Sequence, residues 1–131
     1  MRLHYYLATG AYCSFLFWIS HQSKLPGAEL AFDGSDKFAH FVAYGLLSAL
    51  VSTGLHRAPR PFGKPVLRWA PVLFAGLYGI SDEIHQYFVP GRTFSYLDMV
   101  ADVLGAAAAQ AICLYYFRKT TCPISRGEQG T

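Results

Sequence analysis

The stretch GISDEIHQYFVPGRTFSYLDMVADVLGA, residues 79–106, joins two apolar segments and concentrates ionisable side chains between them. Its middle, VPGRT, is typical of a tight turn, because Pro fixes its own φ and Gly permits a positive one. The stretch therefore predicts the end of one helix, a turn and the start of the next helix. The polar groups at this junction are either the solvated turn of an ordinary helical hairpin or a functional site. The ionisable residues are Asp82, Glu83, His85, Arg92, Asp98 and Asp102.

The whole chain of 131 residues is short enough for one domain and unusually apolar. Charged residues make up 15% of it, whereas they are about a quarter of a typical soluble domain. A bilayer core is crossed by about 20 helical residues, and four apolar segments approach that length, the third only by running on through its carboxylates. A soluble four-helix bundle is disfavoured, because apolar residues surround these segments instead of forming one stripe.

The sequence therefore predicts an all-α membrane protein with four transmembrane helices in a compact bundle. The predicted spans cover about 3–20, 38–56, 67–87 and 96–117, within one membrane domain 1–119 that is followed by a short polar cytoplasmic tail, 120–131.

The distribution of charge predicts how the four spans are oriented. Eight of the 11 Lys and Arg residues fall on one side of the spans and three on the other, so the positive-inside rule places both termini in the cytoplasm. Seven of the eight acids lie on or near the opposite, outer side. The basic loop 56–68 is thus a topology signal, and no nucleic-acid partner is predicted. Three cysteines provide no disulfide framework.

Polar residues recur at helical spacing near the outer ends of three predicted spans, so each set shares one face of its helix. Small residues such as Gly45 and Gly105 predict close packing between the helices. The three polar stripes are Asp36, His40 and Tyr44 in the second span; Asp82 and Gln86, with Glu83 beside them, in the third; and Asp98, Asp102 and Gly105 in the fourth.

Placing a carboxylate inside a span costs about 2.5–3.5 kcal/mol of insertion free energy, so such a side chain usually faces the bundle interior and has a partner there. The three stripes are therefore expected to converge. Lys37 and Arg92 are expected to neutralise part of the acidic set, and His40 to supply a titratable partner. Arg92 is the best candidate for binding a carboxylate or phosphate, because its planar guanidinium donates two parallel hydrogen bonds. His85 does not share the helix face of Asp82 and Gln86 and is expected to point to the membrane interface. Ser35 or Asp36 is expected to cap the second helix.

Two segments, DKFAHFVAYGLL at 36–47 and SDEIHQYFVPGRTFSYLDMVADVLGA at 81–106, resemble the VanZ-like family of small bacterial membrane proteins. The family pattern is Asp-Lys-x-x-His-x-x-x-Tyr, then Asp-Glu-x-x-Gln, an aromatic residue, Pro-Gly-Arg, Ser-x-x-Asp and a Gly. WISHQSKLP at 18–26 also resembles the family's first polar loop, and the resemblance covers about 15–110. Many relatives carry Asn at the position of Asp102, whose ionised side chain only accepts hydrogen bonds.

The resemblance implies a multi-pass protein of the bacterial cytoplasmic membrane. The family is named for a protein linked to resistance against the glycopeptide teicoplanin, so the resemblance also implies a role in the cell envelope. Carried over position by position and joined with the stripes above, it predicts a ligand-binding set of Asp36, Lys37, His40, Tyr44, Asp82, Glu83, Gln86, Arg92, Ser95, Asp98 and Asp102.

Three functions are compatible with these residues. The favoured one is binding of the polar head of a membrane lipid or lipid-linked envelope precursor, with an influence on glycopeptide or lipoglycopeptide susceptibility. The second is an intramembrane, metal-dependent hydrolase of a lipid-linked substrate. The third is a proton-coupled carrier, which four short spans without a repeat would form only as a homo-oligomer.

The sequence leaves open whether any reaction is catalysed. No cofactor is predicted, although a divalent metal is compatible with the side chains. The candidate metal ligands are His40, Glu83 and Asp98, and the candidate catalytic residues are the same three together with Asp82.

Overall fold

A computed structural model describes residues 3–23 and 34–121, and these residues form four α-helices and no β-strand. The predicted all-α fold is thereby confirmed. Lys24 and the predicted polar tail from residue 122 onward lie outside the described residues. The helices are α1 (Leu3–Ser20), α2 (Ser35–His56), α3 (Lys64–Tyr87) and α4 (Tyr96–Thr121).

Local sequence determines how α2 and α4 begin. Gly34 precedes α2 with a φ of 87°, in the left-handed region, and takes the N-cap position. The expectation that Ser35 or Asp36 caps this helix is therefore wrong, since both lie inside its first turn and no side chain caps it. Ser95 does cap α4, because its Oγ accepts a hydrogen bond from the Asp98 N–H at 3.3 Å.

The most extensive helix contact joins α2 to α4, and glycine makes it close. A Cβ added to Gly105 would overlap the backbone carbonyl of Phe41, and one added to Gly45 would lie 3.1 Å from the Gly105 carbonyl oxygen. The predicted close packing through small residues is confirmed at this crossing. Because His40 precedes Phe41, the crossing brings the polar stripe of α2 against the start of α4.

A buried amide on α4 compensates for a proline inside α3. Pro71 has no N–H, so the carbonyl of Leu67, four residues earlier, loses its helical donor. Gln110 Nε2 donates to that carbonyl oxygen at 2.7 Å. Gln110 is buried, and this contact supplies the hydrogen bond that Pro71 removes.

The bundle places polar side chains inside and large apolar side chains outside. Glu83 and Asp102 are fully buried, whereas Leu46 of α2 and Leu77 of α3 are 56% and 67% exposed. In water, large apolar side chains are usually the buried ones and unpaired carboxylates the exposed ones. Two of the described helices, Ser35–His56 and the Tyr96–Thr120 part of α4, are long and apolar enough to cross a membrane.

Candidate functional site

His40 of α2 lies at the centre of a polar cluster, defined here as His40, Glu83, Asp98 and Asp102. Three helices contribute to it: α2 brings the imidazole, the last turns of α3 bring Glu83, and the first turns of α4 bring the two aspartates. The three stripes expected from the sequence thus converge at the end of the bundle where α3 turns into α4.

The imidazole of His40 is held by a hydrogen bond on one nitrogen. Its Nδ1 lies 2.9 Å from Asp102 Oδ1. An ionised carboxylate only accepts, so Nδ1 is the donor. An Asn at this position could accept in the same way through its side-chain oxygen, so the acceptor role is compatible with either residue.

The other nitrogen of His40 faces two further carboxylates. Nε2 lies 3.8 Å from Glu83 Oε1 and 4.0 Å from Asp98 Oδ2, too far for hydrogen bonds. Glu83 is completely buried, and its Oε1 has no hydrogen-bond partner. Its other oxygen, Oε2, accepts from the backbone N–H of Ser95 at 2.9 Å, which fixes the carboxylate relative to the turn.

The polar cluster holds more acidic than basic side chains. Three carboxyl groups surround one imidazole, so with these groups ionised the sum of charges is negative even when the imidazole is protonated. Lys37 Nζ lies 3.7 Å from Asp98 Oδ1, but it is closer to the exposed carboxylate of Asp36, at 3.0 Å. Buried carboxylates are costly unless a cation compensates them, so the cluster favours a cation.

One set of side chains in the cluster has the spacing of metal ligands. His40, Glu83 and Asp98 each offer one ligand atom, and these three atoms lie within 4.8 Å of one another. One imidazole and two carboxylates form a mixed nitrogen and oxygen donor set, which suits divalent transition metals. The sequence analysis names the same three residues as the candidate metal ligands.

A cavity of about 310 Å³ lies beside the cluster, and the residues that line it differ in chemistry from helix to helix. Those of α1 form an apolar wall, through Tyr12, Phe15, Leu16 and Ile19. The other helices and the α3–α4 turn contribute the polar lining, called the polar end below, which consists of Asp36, His40, Asp82, Gln86, Arg92 and Asp98.

Arg92 belongs to this cavity and not to the acidic cluster. It follows Gly91, whose φ of 83° makes the tight turn that the sequence predicted. Among the described residues Arg92 forms no ion pair, and its Nε is buried without a hydrogen-bond partner. The expected neutralisation of the acids by Arg92 is therefore not observed, and the basic side chain that lies beside an acid of the cluster is Lys37, next to Asp98.

The remaining predicted site residues divide between the cavity and the layer behind it. Tyr44 lines the cavity and stacks on His40, with ring centroids 5.9 Å apart. Gln86 Nε2 donates to Asp82 Oδ2 at 3.0 Å, so these two share one hydrogen bond at the polar end. Ser95 caps α4 and is not among the residues that line the cavity, and its assignment to ligand binding stays a prediction.

Sequence reasoning missed the contribution of α1, which supplies the apolar wall of the cavity. Nothing in α1 distinguishes these side chains from other apolar residues of a span, so no local signal could have found them. His85 lies away from the cluster, where its Nε2 is 3.3 Å from Nδ1 of His21 and its ring contacts Phe17.

Residues 5–118 match a sequence model of the family described as VanZ/LLP1. The chain belongs to the VanZ/LLP1 family. This confirms the resemblance inferred from the sequence motifs. The match includes the polar cluster and every described residue that lines the cavity, so the site lies within the VanZ/LLP1 region. Comparisons with curated proteins and with solved structures found no match.

Proposed function

We propose that this VanZ/LLP1 protein binds the head of an envelope amphiphile, a membrane lipid or a lipid-linked precursor, in the cavity between α1 and the polar stripes. The observation that carries the proposal is the division of the cavity into an apolar wall and a polar end. An amphiphile has the same division, so its chain fits along α1 while its head reaches the polar end. The cavity volume of about 310 Å³ suits a head group and the first part of a chain.

The proposal includes four spans in the bacterial cytoplasmic membrane, with both termini in the cytoplasm. The exposed apolar side chains of all four helices support it, because lipid is the solvent in which such a surface is stable. The excess of Lys and Arg on one side of the spans supports the orientation. The cavity then opens toward the outer leaflet, where lipid-linked wall precursors and lipid-tailed glycopeptides meet the membrane. A change in glycopeptide susceptibility would follow from occupancy of this site.

Arg92 gives the cavity its preference for an anionic head. A guanidinium with a buried and unpartnered Nε has a donor free for a ligand oxygen, and its planar geometry matches a phosphate. Asp36 and Asp82 line the same end and accept hydrogen bonds from hydroxyl or amino groups. The head that fits best is therefore a phosphate that carries additional donors.

The test is native mass spectrometry of the purified full chain, released from a neutral detergent, with lysophosphatidylglycerol as the probe. Monoacylglycerol with the same acyl chain, which lacks the phosphate, is the control ligand. The wild type should prefer the phosphate-bearing probe. Arg92→Lys should reduce that binding about tenfold or more, since it loses the bidentate geometry while keeping the charge. The matched variant Arg60→Lys, in the basic loop, should bind like the wild type. Equal binding of both probes, or equal behaviour of the two variants, would overturn the proposal.

A second candidate function, metal-dependent hydrolysis of a lipid-linked substrate, is supported by one observation. His40 and Asp98, two of the three candidate ligands, line the cavity in which the amphiphile head would lie. A metal ion there would meet the head group and could activate water. Release of glycerol phosphate, glycerol or fatty acid from the lysolipid by the wild type, and its loss in Glu83→Gln, would favour this function over binding alone.

A further inference from the structure

We propose that His40, Glu83 and Asp98 bind one divalent transition-metal ion, Zn²⁺ or Mn²⁺, and that Asp102 and the Ser95 N–H orient two of its ligands. This site does not depend on the proposed binding of an amphiphile. It rests on the distances between the three side chains, on their burial and on the hydrogen bonds around them.

The first argument is the distance between ligand atoms. His40 Nε2 is 3.8 Å from Glu83 Oε1 and 4.0 Å from Asp98 Oδ2. Two atoms bound to one ion at about 2.0–2.2 Å each are separated by no more than about 4.4 Å, so both separations leave room for an ion. Glu83 and Asp98 each contribute one of the three ligand atoms, which all lie within 4.8 Å of one another.

The second argument is the unpartnered oxygen of Glu83. This side chain is completely buried, and its Oε1 faces His40 without any hydrogen bond. A buried carboxylate oxygen without a partner is costly, and it is rarely left so in a folded protein. A cation bound between Oε1 and the imidazole removes that cost.

The third argument is the set of contacts that surround the three ligand side chains. Asp102 accepts from His40 Nδ1 at 2.9 Å, which leaves Nε2 as the free ligand nitrogen. Metal-binding histidines usually donate their other N–H to a carboxylate or carbonyl in this way. The Ser95 N–H holds the second oxygen of Glu83, and Lys37 lies beside the second oxygen of Asp98, at 2.9 Å and 3.7 Å. Hydrogen bonds with groups that are not themselves ligands thus hold His40 and Glu83, while Lys37 offsets part of the charge of Asp98.

The donor set also indicates the class of ion. One imidazole excludes a site built purely for Mg²⁺ or Ca²⁺, which prefer oxygen ligands, while two carboxylates disfavour Cu⁺. Three protein ligands leave at least one coordination position open. Since His40 and Asp98 line the cavity, that position faces the cavity, where water or a ligand oxygen could occupy it.

The experiment is isothermal titration of the purified full chain with Zn²⁺, Mn²⁺ and Mg²⁺, after chelation and with any polyhistidine tag removed. The wild type should bind one Zn²⁺ or Mn²⁺ and should not respond to Mg²⁺. Glu83→Gln and Asp98→Asn should weaken the affinity by more than about 100-fold. Asp102→Ala, which removes only the orienting acceptor, should weaken it by about 10–100-fold. Ser81→Ala removes an exposed hydroxyl on α3 that has no part in the site and should bind like the wild type.

A second pair of imidazoles requires its own control, because His21 and His85 lie 3.3 Å apart and can share an ion. His85→Asn should therefore keep the wild-type stoichiometry. Loss of binding in His85→Asn with retention in Glu83→Gln would overturn the proposal, as would a wild type that binds none of the ions or only Mg²⁺.

A spectroscopic measurement on the wild type avoids variants that fail to fold. Bound Co²⁺ should show visible d–d absorption without a thiolate charge-transfer band and should be displaced by Zn²⁺. A thiolate band would place the ion on a cysteine instead and would contradict the site.

Discussion

His40 contacts side chains of α2, α3 and α4, and these neighbours give each side of its ring a separate role. Its Nδ1 is held by Asp102, its ring stacks on Tyr44, and its Nε2 faces Glu83 and Asp98. The geometry of the site therefore depends on how these three helices pack against one another.

At the residue scale, we predict that Glu83 stabilises the α3–α4 turn through one oxygen. Glu83→Ala leaves the Ser95 N–H without its acceptor and should reduce the free energy of unfolding by about 1–3 kcal/mol. Glu83→Gln keeps an acceptor oxygen for this N–H, so its free energy of unfolding should fall clearly less than that of Glu83→Ala. Thermal unfolding in detergent with EDTA, which removes any metal contribution, measures both. Equal losses in the two variants would show that the Ser95 contact does not stabilise the turn.

At the scale of elements, the crossing of α2 and α4 sets the distance between His40 and Asp102. The two backbones touch at Gly105, where even one added carbon atom would overlap the Phe41 carbonyl. Backbone atoms cannot rotate away as the end of a side chain can, so a larger residue must move one helix. The polar cluster lies one turn from this contact and would move with it.

We predict that Gly105→Ala lowers the free energy of unfolding by about 1–3 kcal/mol or more, as expected for overpacking. The matched control is Gly10→Ala on α1, where an added Cβ meets nothing within 4 Å. That variant should be unchanged or slightly more stable, because Ala is the better helix former. Thermal unfolding of both variants in the same detergent checks the difference, and a Gly105→Ala protein as stable as Gly10→Ala would contradict it.

A second prediction at this scale concerns the contact between Gln110 and the proline-interrupted turn of α3. Gln110→Leu removes the donor to the Leu67 carbonyl, whereas Pro71→Ala restores the helical N–H that this carbonyl lacks. The cost of Gln110→Leu should therefore be smaller by about 1 kcal/mol in the Pro71→Ala background. A double-mutant cycle of unfolding free energies measures this coupling, and purely additive effects would exclude it.

For the whole molecule, polar side chains lie inside the bundle and apolar side chains lie on its surface, as expected for a protein surrounded by lipid. Its interior holds carboxylates, amides and hydroxyl groups, and its surface holds leucine and aromatic side chains on every helix. Such an exterior would promote association in water, whereas in a bilayer it faces the lipid tails.

We predict that Leu46→Asp, at an exposed position in the middle of α2, impairs membrane integration. An aspartate at the centre of a span costs about 2.5–3.5 kcal/mol on insertion scales, whereas the same change on a water-exposed surface would be tolerated. The control is Phe62→Asp, an exposed apolar residue in the loop between α2 and α3, which should integrate normally. Resistance of the protein to alkaline carbonate extraction is the measurement. Normal integration of Leu46→Asp would argue against the proposed span.

Local periodicity along the chain is enough to predict the helices and the faces of their polar stripes. The spacing of four between His40 and Tyr44, or between Asp82 and Gln86, places each pair on one side of its helix in any packing. Pro90 and Gly91 likewise predicted the turn from their own backbone preferences, and Gly91 has the positive φ that such a turn uses. The cap of α2 was mispredicted because a glycine in the left-handed region took the position instead of a side-chain acceptor.

The partners that the stripes meet depend on how the helices pack, which local periodicity does not predict. The pairing of His40 with Asp102, the position of Arg92 in the cavity and the apolar wall from α1 all join residues far apart in the chain. So does the bond from Gln110 to the carbonyl freed by Pro71. Periodicity fixes a face but not the rotation and depth at which two helices cross. Those are set by close contacts such as Gly105 against Phe41, where the shapes of both helices act together.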